Sequence, residues 1–271
     1  MARLDGKVAF ITGAARGQGR AHAVRLAQDG ADIIAIDLCQ QLDSVGYPLS
    51  TRDDLDETVR QVEALDRRIV AAVGDVRDAQ VMRDVFADGV ATLGPVTIVV
   101  ANAGIGPGGT ASAQQQWDEV VGVNLTGVWN TGRVAIPSMI EHGQGGSIIL
   151  TSSTGGLTGS PSNVPGMLAY TAAKHGVIGL MRSWANYLAP HYIRVNSVAP
   201  TTVRTPMANN GDVSMIIRHV PELANSLTNA IPVEAVDAAD VANAVAWLAS
   251  DEARYITGTV IPVDAGNLNR R

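Results

Sequence analysis

Cysteine is nearly absent from this chain. Cys39 stands alone, which excludes an internal disulfide and leaves no thiol cluster for a metal site. Near a strand end, it suits a small apolar position. No apolar run reaches 18 residues, so no membrane-spanning helix is expected, and MARLDGKVAFITG lacks the layout of a signal peptide. The net charge is −6 with no long basic run, which argues against nucleic acid or an anionic membrane as a partner. His22, His142, His175, His191 and His219 form no close ligand pair and read as surface or locally bonded groups, so no metal is expected. A reducing cytoplasm is the expected setting. Lysine is the scarcest charged residue: Lys7 and Lys174 stand against eighteen arginines, and Lys174 follows Tyr170 by four places in AYTAAKHG. That retained lysine needs a chemical reason.

Among the 271 residues, 46% are hydrophobic, enough for a large buried core. Short apolar runs alternate with helical patterns: 8–12, 32–37, 68–75, 96–104, 147–153, 193–200 and 260–266. Strands apolar on both faces belong to a parallel sheet covered by helices. The expectation is an α/β fold, one doubly wound domain over residues 1–271 with about seven strands.

The first run leads into TGAARGQG, where Gly13, Gly17 and Gly19 follow a strand and open a helix. Glycines there allow a tight turn and close approach of backbone to a pyrophosphate at the helix N-terminus. Asp37 ends the next strand, where a carboxylate accepts hydrogen bonds from an adenosine ribose and repels a 2′-phosphate. Arg16 pulls the other way, since it is placed to meet that phosphate unless it turns to solvent. The charge at Asp37 decides for NAD over NADP.

With these motifs the chain resembles the short-chain dehydrogenase/reductase family along essentially its full length, which implies a Rossmann domain. GDVRD carries Asp75, NAG spans 102–104, VNLTG carries Asn124, ILTSS carries Ser153 and YTAAK carries Tyr170 and Lys174. The resemblance implies a cofactor cleft lined by Gly13, Arg16, Gly17, Gln18 and Gly19, then Asp37 and Leu38, with Asp75 and Val76 at the adenine. Asn102, Ala103 and Gly104 continue it, and Pro200, Thr201, Val203 and Thr205 grip the nicotinamide end. The family usually reads Pro-Gly where this chain has Pro200-Thr201, and Thr does not adopt positive φ cheaply, so this loop is expected to track differently.

Residues four apart on a helix share a face, so Tyr170 and Lys174 project into one cleft. A nearby cation favours phenolate, and Tyr170 then exchanges a proton with the substrate hydroxyl. Lys174 also reaches the nicotinamide ribose, as a compact donor that a planar guanidinium cannot imitate. Ser153 is expected to donate to the substrate oxygen, with Ser152 on the opposite strand face as its competitor. The 17-residue gap to Tyr170 is about four longer than the family commonly shows, and SPSNVPGM holds the extra residues as a loop. Asn124, by resemblance, marks a locally opened helix and anchors a water leading from Lys174 to solvent.

About 16 extra residues, 39–54, separate the second strand from its helix. With YPLSTRDDL and VAPTTVRTPM, they resemble the mycofactocin-coupled, carveol dehydrogenase-like subfamily. That implies a lid over tightly held NAD, reoxidised in place by a peptide-derived redox carrier. Residues 206–232 are expected to cover the substrate, with Met207, Met215, Ile216 and Ile217 as an apolar wall for a small hydrophobic secondary alcohol. A homotetramer is implied by the same resemblance. An exchanging NADP-dependent carbonyl reductase and a non-catalytic nucleotide sensor remain the alternatives.

Overall fold

A computed structural model describes residues 3–208 and 228–270. Seven strands, β1 (Val8–Thr12), β2 (Asp32–Asp37), β3 (Ile69–Val73), β4 (Ile98–Ala101), β5 (Gly146–Thr151), β6 (Ile193–Pro200) and β7 (Val260–Val263), form one parallel sheet. Their order is β3-β2-β1-β4-β5-β6-β7, so the winding reverses between β1 and β4. A crevice opens there, beyond the carboxyl ends of the strands, where such sheets bind ligands. The apolar runs succeed as strands because alternate residues enter separate cores. Phe10, Ile34, Val99 and Ile148 pack on one face, and Ile11, Ile33, Val100 and Ile149 on the other. Each such fully buried side chain stabilises the sheet by about 1.5–3 kcal/mol.

Helices α1 (Gly17–Gln28), α2 (Arg52–Glu63), α3 (Ala79–Leu93), α4 (Ala113–Val121), α5 (Gly127–His142), α6 (Pro165–Leu188) and α7 (Ala238–Ala249) cover the sheet. A π-helical turn, Gly122–Thr126, joins α4 to α5. Several boundaries differ from the sequence expectation: β3 and β4 begin later than 68 and 96, β5 begins one residue earlier than 147, and the remaining strand differences fall at the carboxyl ends. Residues 74–75, 102–104, 152–153 and 264–266 lie beyond their strands, because there the chain leaves the ladder. The insertion is shorter than 39–54: residues 52–54 are the first turn of α2, where Thr51 and Asp54 make a reciprocal capping box. The loop before α6 likewise ends at Val164, since Pro165 occupies the first helical turn, where its missing N–H costs nothing.

His22 corrects the reading of the histidines as surface or locally bonded. It is fully buried on α1 rather than at the surface. Burial pushes its pKa down to about 4, with Asn102 exerting a smaller opposite pull. Among the described residues, no helix is long and apolar enough to cross a membrane, and no cluster of three or more His, Cys, Asp or Glu is placed to hold a metal.

Candidate active site

The nucleotide half of the crevice is built from glycine and free backbone. Gly13 has φ +67°, and a Cβ there would lie 2.7 Å from Ala103 Cα. At Gly19 a Cβ would collide with the Gly13 carbonyl oxygen at 1.8 Å. The α1 N-terminus has neither a side-chain cap nor an acid in its first turn, so its N–H groups face the cleft without an anionic competitor. Thr12 Oγ1 accepts from the Asn102 and Ala103 amides, both at 3.1 Å, and Asn102 Nδ2 donates to Thr12 O, which locks NAG against the glycine turn. Gln18 Oε1 is buried without a partner on the wall of the same cleft. These features fit a dinucleotide: close-approach glycines, an uncapped helix end and an unfilled acceptor.

At the adenosine end, Asp37 Oδ2 accepts from Ala15 N at 2.8 Å and Oδ1 from Ser50 Oγ at 2.5 Å. Leu38, Asp75 and Val76 line this end. Arg77 clamps the Asp75 carboxylate, with Nε at 2.8 Å and Nη2 at 2.6 Å from Oδ2. Arg16 lines the cleft too, and its guanidinium donates to the Pro48 carbonyl oxygen.

The insertion is a packed strap. Gln41 ties it to itself, donating to Val45 O at 2.9 Å and accepting from Leu49 N at 2.9 Å. Val45 and Tyr47 are buried in the core. The Tyr47 hydroxyl accepts from Gly106 N at 3.0 Å, and burial pushes its pKa up to about 12. Asp43 O accepts from Thr110 N and Ala111 N, and Ser44 donates to Glu119 on α4. Gly109, at φ +73°, lets the strap pass: a Cβ there would lie 2.1 Å from Asp43 O. Leu42, Tyr47, Leu49 and Ser50, absent from the sequence-derived set, therefore line the nucleotide cleft. The signal was available: Leu42, Val45 and YPL place apolar bulk inside the insertion.

The chemical half shares Gln18, Asn102, Gly104, Thr205 and Met207 with the nucleotide half, so the two form one continuous cleft. Ser153, Tyr170 and Lys174 all line it. Lys174 Nζ donates to Thr151 O at 2.8 Å and lies 5.6 Å from the centroid of the partly buried Tyr170 ring. Burial pushes Lys174 down to about 8. The same burial raises Tyr170, opposed only by a hydrogen bond to Ser153. Desolvation thus works against the phenolate that the Lys174 charge is expected to favour.

Ser152 and Ser153 diverge as expected, although both lie beyond β5. Ser152 is buried and donates to Lys174 O at 3.0 Å, whereas Ser153 faces Tyr170 and accepts from Gly155 N at 3.1 Å. Asn124 sits in the π-helical turn, with Oδ1 accepting from Ile105 N at 2.8 Å and Nδ2 donating to Ile105 O at 2.9 Å. The side chain expected to anchor a water is engaged with the 105 loop. It still meets Lys174 across Gly104, where a Cβ would lie 3.3 Å from Asn124 Oδ1 and 3.6 Å from Lys174 Nζ.

Pro200, Thr201, Val203 and Thr205 close the cleft's far wall. Thr201 is not among the residues with positive φ, so the loss of glycine costs no strain there, and its hydroxyl is within 3.0 Å of Asn229 Oδ1. Met207 packs beside Gly106, while Pro107, Thr158 and Met167 add walls that the sequence reading had not singled out. Met215, Ile216 and Ile217 lie outside the described residues.

The family described as Enoyl-(Acyl carrier protein) reductase matches residues 13–267. The (−)-trans-carveol dehydrogenase of Rhodococcus erythropolis is 47% identical, covering 98% of this chain and 99% of that one. An uncharacterized oxidoreductase of Mycobacterium tuberculosis is 56% identical, covering 99% and 98%. The crystal structure of carveol dehydrogenase from Mycobacterium avium in complex with NAD superposes with a TM-score of 0.91 at 48% identity, covering 99% and 100%.

Proposed function

The chain belongs to the short-chain dehydrogenase/reductase family, and from that premise we propose that it interconverts a small hydrophobic secondary alcohol, terpenoid-like or alicyclic and of carveol type, with its ketone. It is an NAD-dependent alcohol oxidoreductase. One observation carries the reading: a single cleft has Asp37 at its nucleotide end and Ser153, Tyr170 and Lys174 at the other.

NAD, when bound, supplies the hydride acceptor and, in its oxidised form, a positive charge beside the pocket. Tyr170 carries the proton: as phenolate it accepts one from the alcohol hydroxyl during oxidation, and as phenol it returns one during reduction. Ser153 accepts from Gly155 N and hydrogen-bonds Tyr170, and its hydroxyl hydrogen would turn from the Tyr170 oxygen to the substrate oxygen and its developing charge. Lys174 donates once to Thr151 O and keeps further donors for ribose hydroxyls. Asn124 positions the 105 loop, and the π-helical turn around it supports a proton route from Lys174 toward solvent. Thr205, against Gly17, and Met207 would border the nicotinamide end.

The strap supports slow exchange of NAD, because release from beneath a packed cover adds contact to the off-rate. Slow exchange suits reoxidation in place by a redox carrier, as the mycofactocin-coupled resemblance implies. Exposed Trp117 on α4 and Trp129 on α5 favour assembly, taken as a homotetramer, and the setting is taken as cytoplasmic. The test is mass spectrometry of the purified, undialysed protein with turnover assays on carveol-type alcohols. NAD carried through purification with oxidation of such alcohols is expected; an empty protein that turns over only with NADP would refute the reading.

A further inference from the structure

Arg16 and Asp37 are the two charged side chains placed to distinguish NAD from NADP, and the strap engages both. Asp37 Oδ1 accepts from Ser50 Oγ at 2.5 Å, while Arg16 Nη2 donates to Pro48 O. These two contacts lie two residues apart on the strap, on either side of Leu49, which also lines the cleft. The strap is in turn fixed on its far side. Tyr47 accepts from Gly106 N at 3.0 Å, Asp43 O accepts from Thr110 N at 3.1 Å, and Ser44 donates to Glu119. Gln41 braces the interior through Val45 O and Leu49 N. Pro48 O is therefore an acceptor on a fixed support. A guanidinium on such an acceptor loses a charge-assisted hydrogen bond if it swings away to follow a phosphate.

We propose that Arg16 is a clamp for the strap, a positioning residue that holds 47–50 over the adenosine end and reads no 2′-phosphate. Cofactor choice then rests on Asp37, held in place by Ser50 and Ala15, and Arg16 contributes equally to NAD and NADP. The inference rests on the NAD-dependent reading of this cleft. It departs from what the position of Arg16 beside the glycine turn suggests, namely a counter-charge for NADP.

The test measures Kd for NAD and for NADP on the full-length protein, as wild type, Arg16→Met, Asp37→Ala and the double variant. Met keeps the apolar stem of Arg16 while removing the donor. The clamp predicts that Arg16→Met weakens both nucleotides by a similar factor, about fivefold, in both the wild-type and the Asp37→Ala backgrounds. Loosening of the strap should appear as faster proteolysis within 41–50, with an unchanged circular dichroism spectrum. The proposal is overturned if Arg16→Met in the Asp37→Ala background costs NADP roughly tenfold more than NAD, the signature of a phosphate reader. It is equally overturned if neither Kd changes. Failure of the functional reading shows separately, as a wild type that binds neither nucleotide, and the clamp then falls with it.

Discussion

Lys174 and Tyr170 stand one helical turn apart on α6, with the ammonium 5.6 Å from the phenol ring centroid and anchored at 2.8 Å to Thr151 O. Burial raises Tyr170 and lowers Lys174 to about 8. Oxidation needs Tyr170 without its proton, whereas reduction needs it protonated. For alcohol oxidation, kcat/KM should therefore rise with pH and bend near pH 8, where Lys174 loses its charge. Ketone reduction should show the opposite slope. Profiles measured in both directions check this, and equal slopes would remove Tyr170 as the group that exchanges the proton.

The two adjacent serines should fail differently. Ser153→Ala removes the donor aimed at the substrate oxygen and should lower kcat by about 10²-fold with stability unchanged. Ser152→Ala deletes the buried bond to Lys174 O and should cost about 1 kcal/mol of stability. Steady-state kinetics and urea unfolding on both variants separate the roles.

Much of this was legible in the sequence because the central signals are local. All seven strands appear as apolar runs, and the glycine turn, Asp37 and the Tyr170–Lys174 pair each depend on spacing within one element. What was hidden depends on tertiary approach. Nothing in Tyr47 or Asp43 indicates contact with Gly106 and Thr110, some sixty residues away. Nor does spacing say that α1 turns His22 into the core, since a single histidine on a small-residue helix suits either face. The desolvation of Tyr170 was hidden too, because a neighbouring charge is visible in sequence and the depth of burial is not.

His22 makes stability depend on pH. Its folded pKa of about 4 lies below the ordinary 6.5, so the unfolded chain takes up a proton that the folded protein resists. Its contribution is complete above about pH 6.5, falls as pH drops, and has lost about 2 kcal/mol by pH 5. Urea unfolding at pH 7.5 and pH 5 should show a wild-type loss larger by that amount than the loss in His22→Leu. Equal losses would place the proton elsewhere.

The strap should govern nucleotide escape. Replacing residues 41–49 with a short glycine linker removes Tyr47 and Leu49 from the cleft wall, and should speed NAD release at least tenfold. Stopped-flow displacement of bound NADH measures it. If NAD leaves the unaltered protein within seconds, the strap does not retain it.

The account depends most directly on the Tyr170 hydroxyl, and Tyr170→Phe tests it when turnover and NAD affinity are measured on the same preparation. Loss of about 10³-fold or more in kcat, with NAD Kd within about twofold of wild type, is the predicted result. A phenylalanine variant that still oxidises alcohols at more than about a tenth of the wild-type rate would contradict the account.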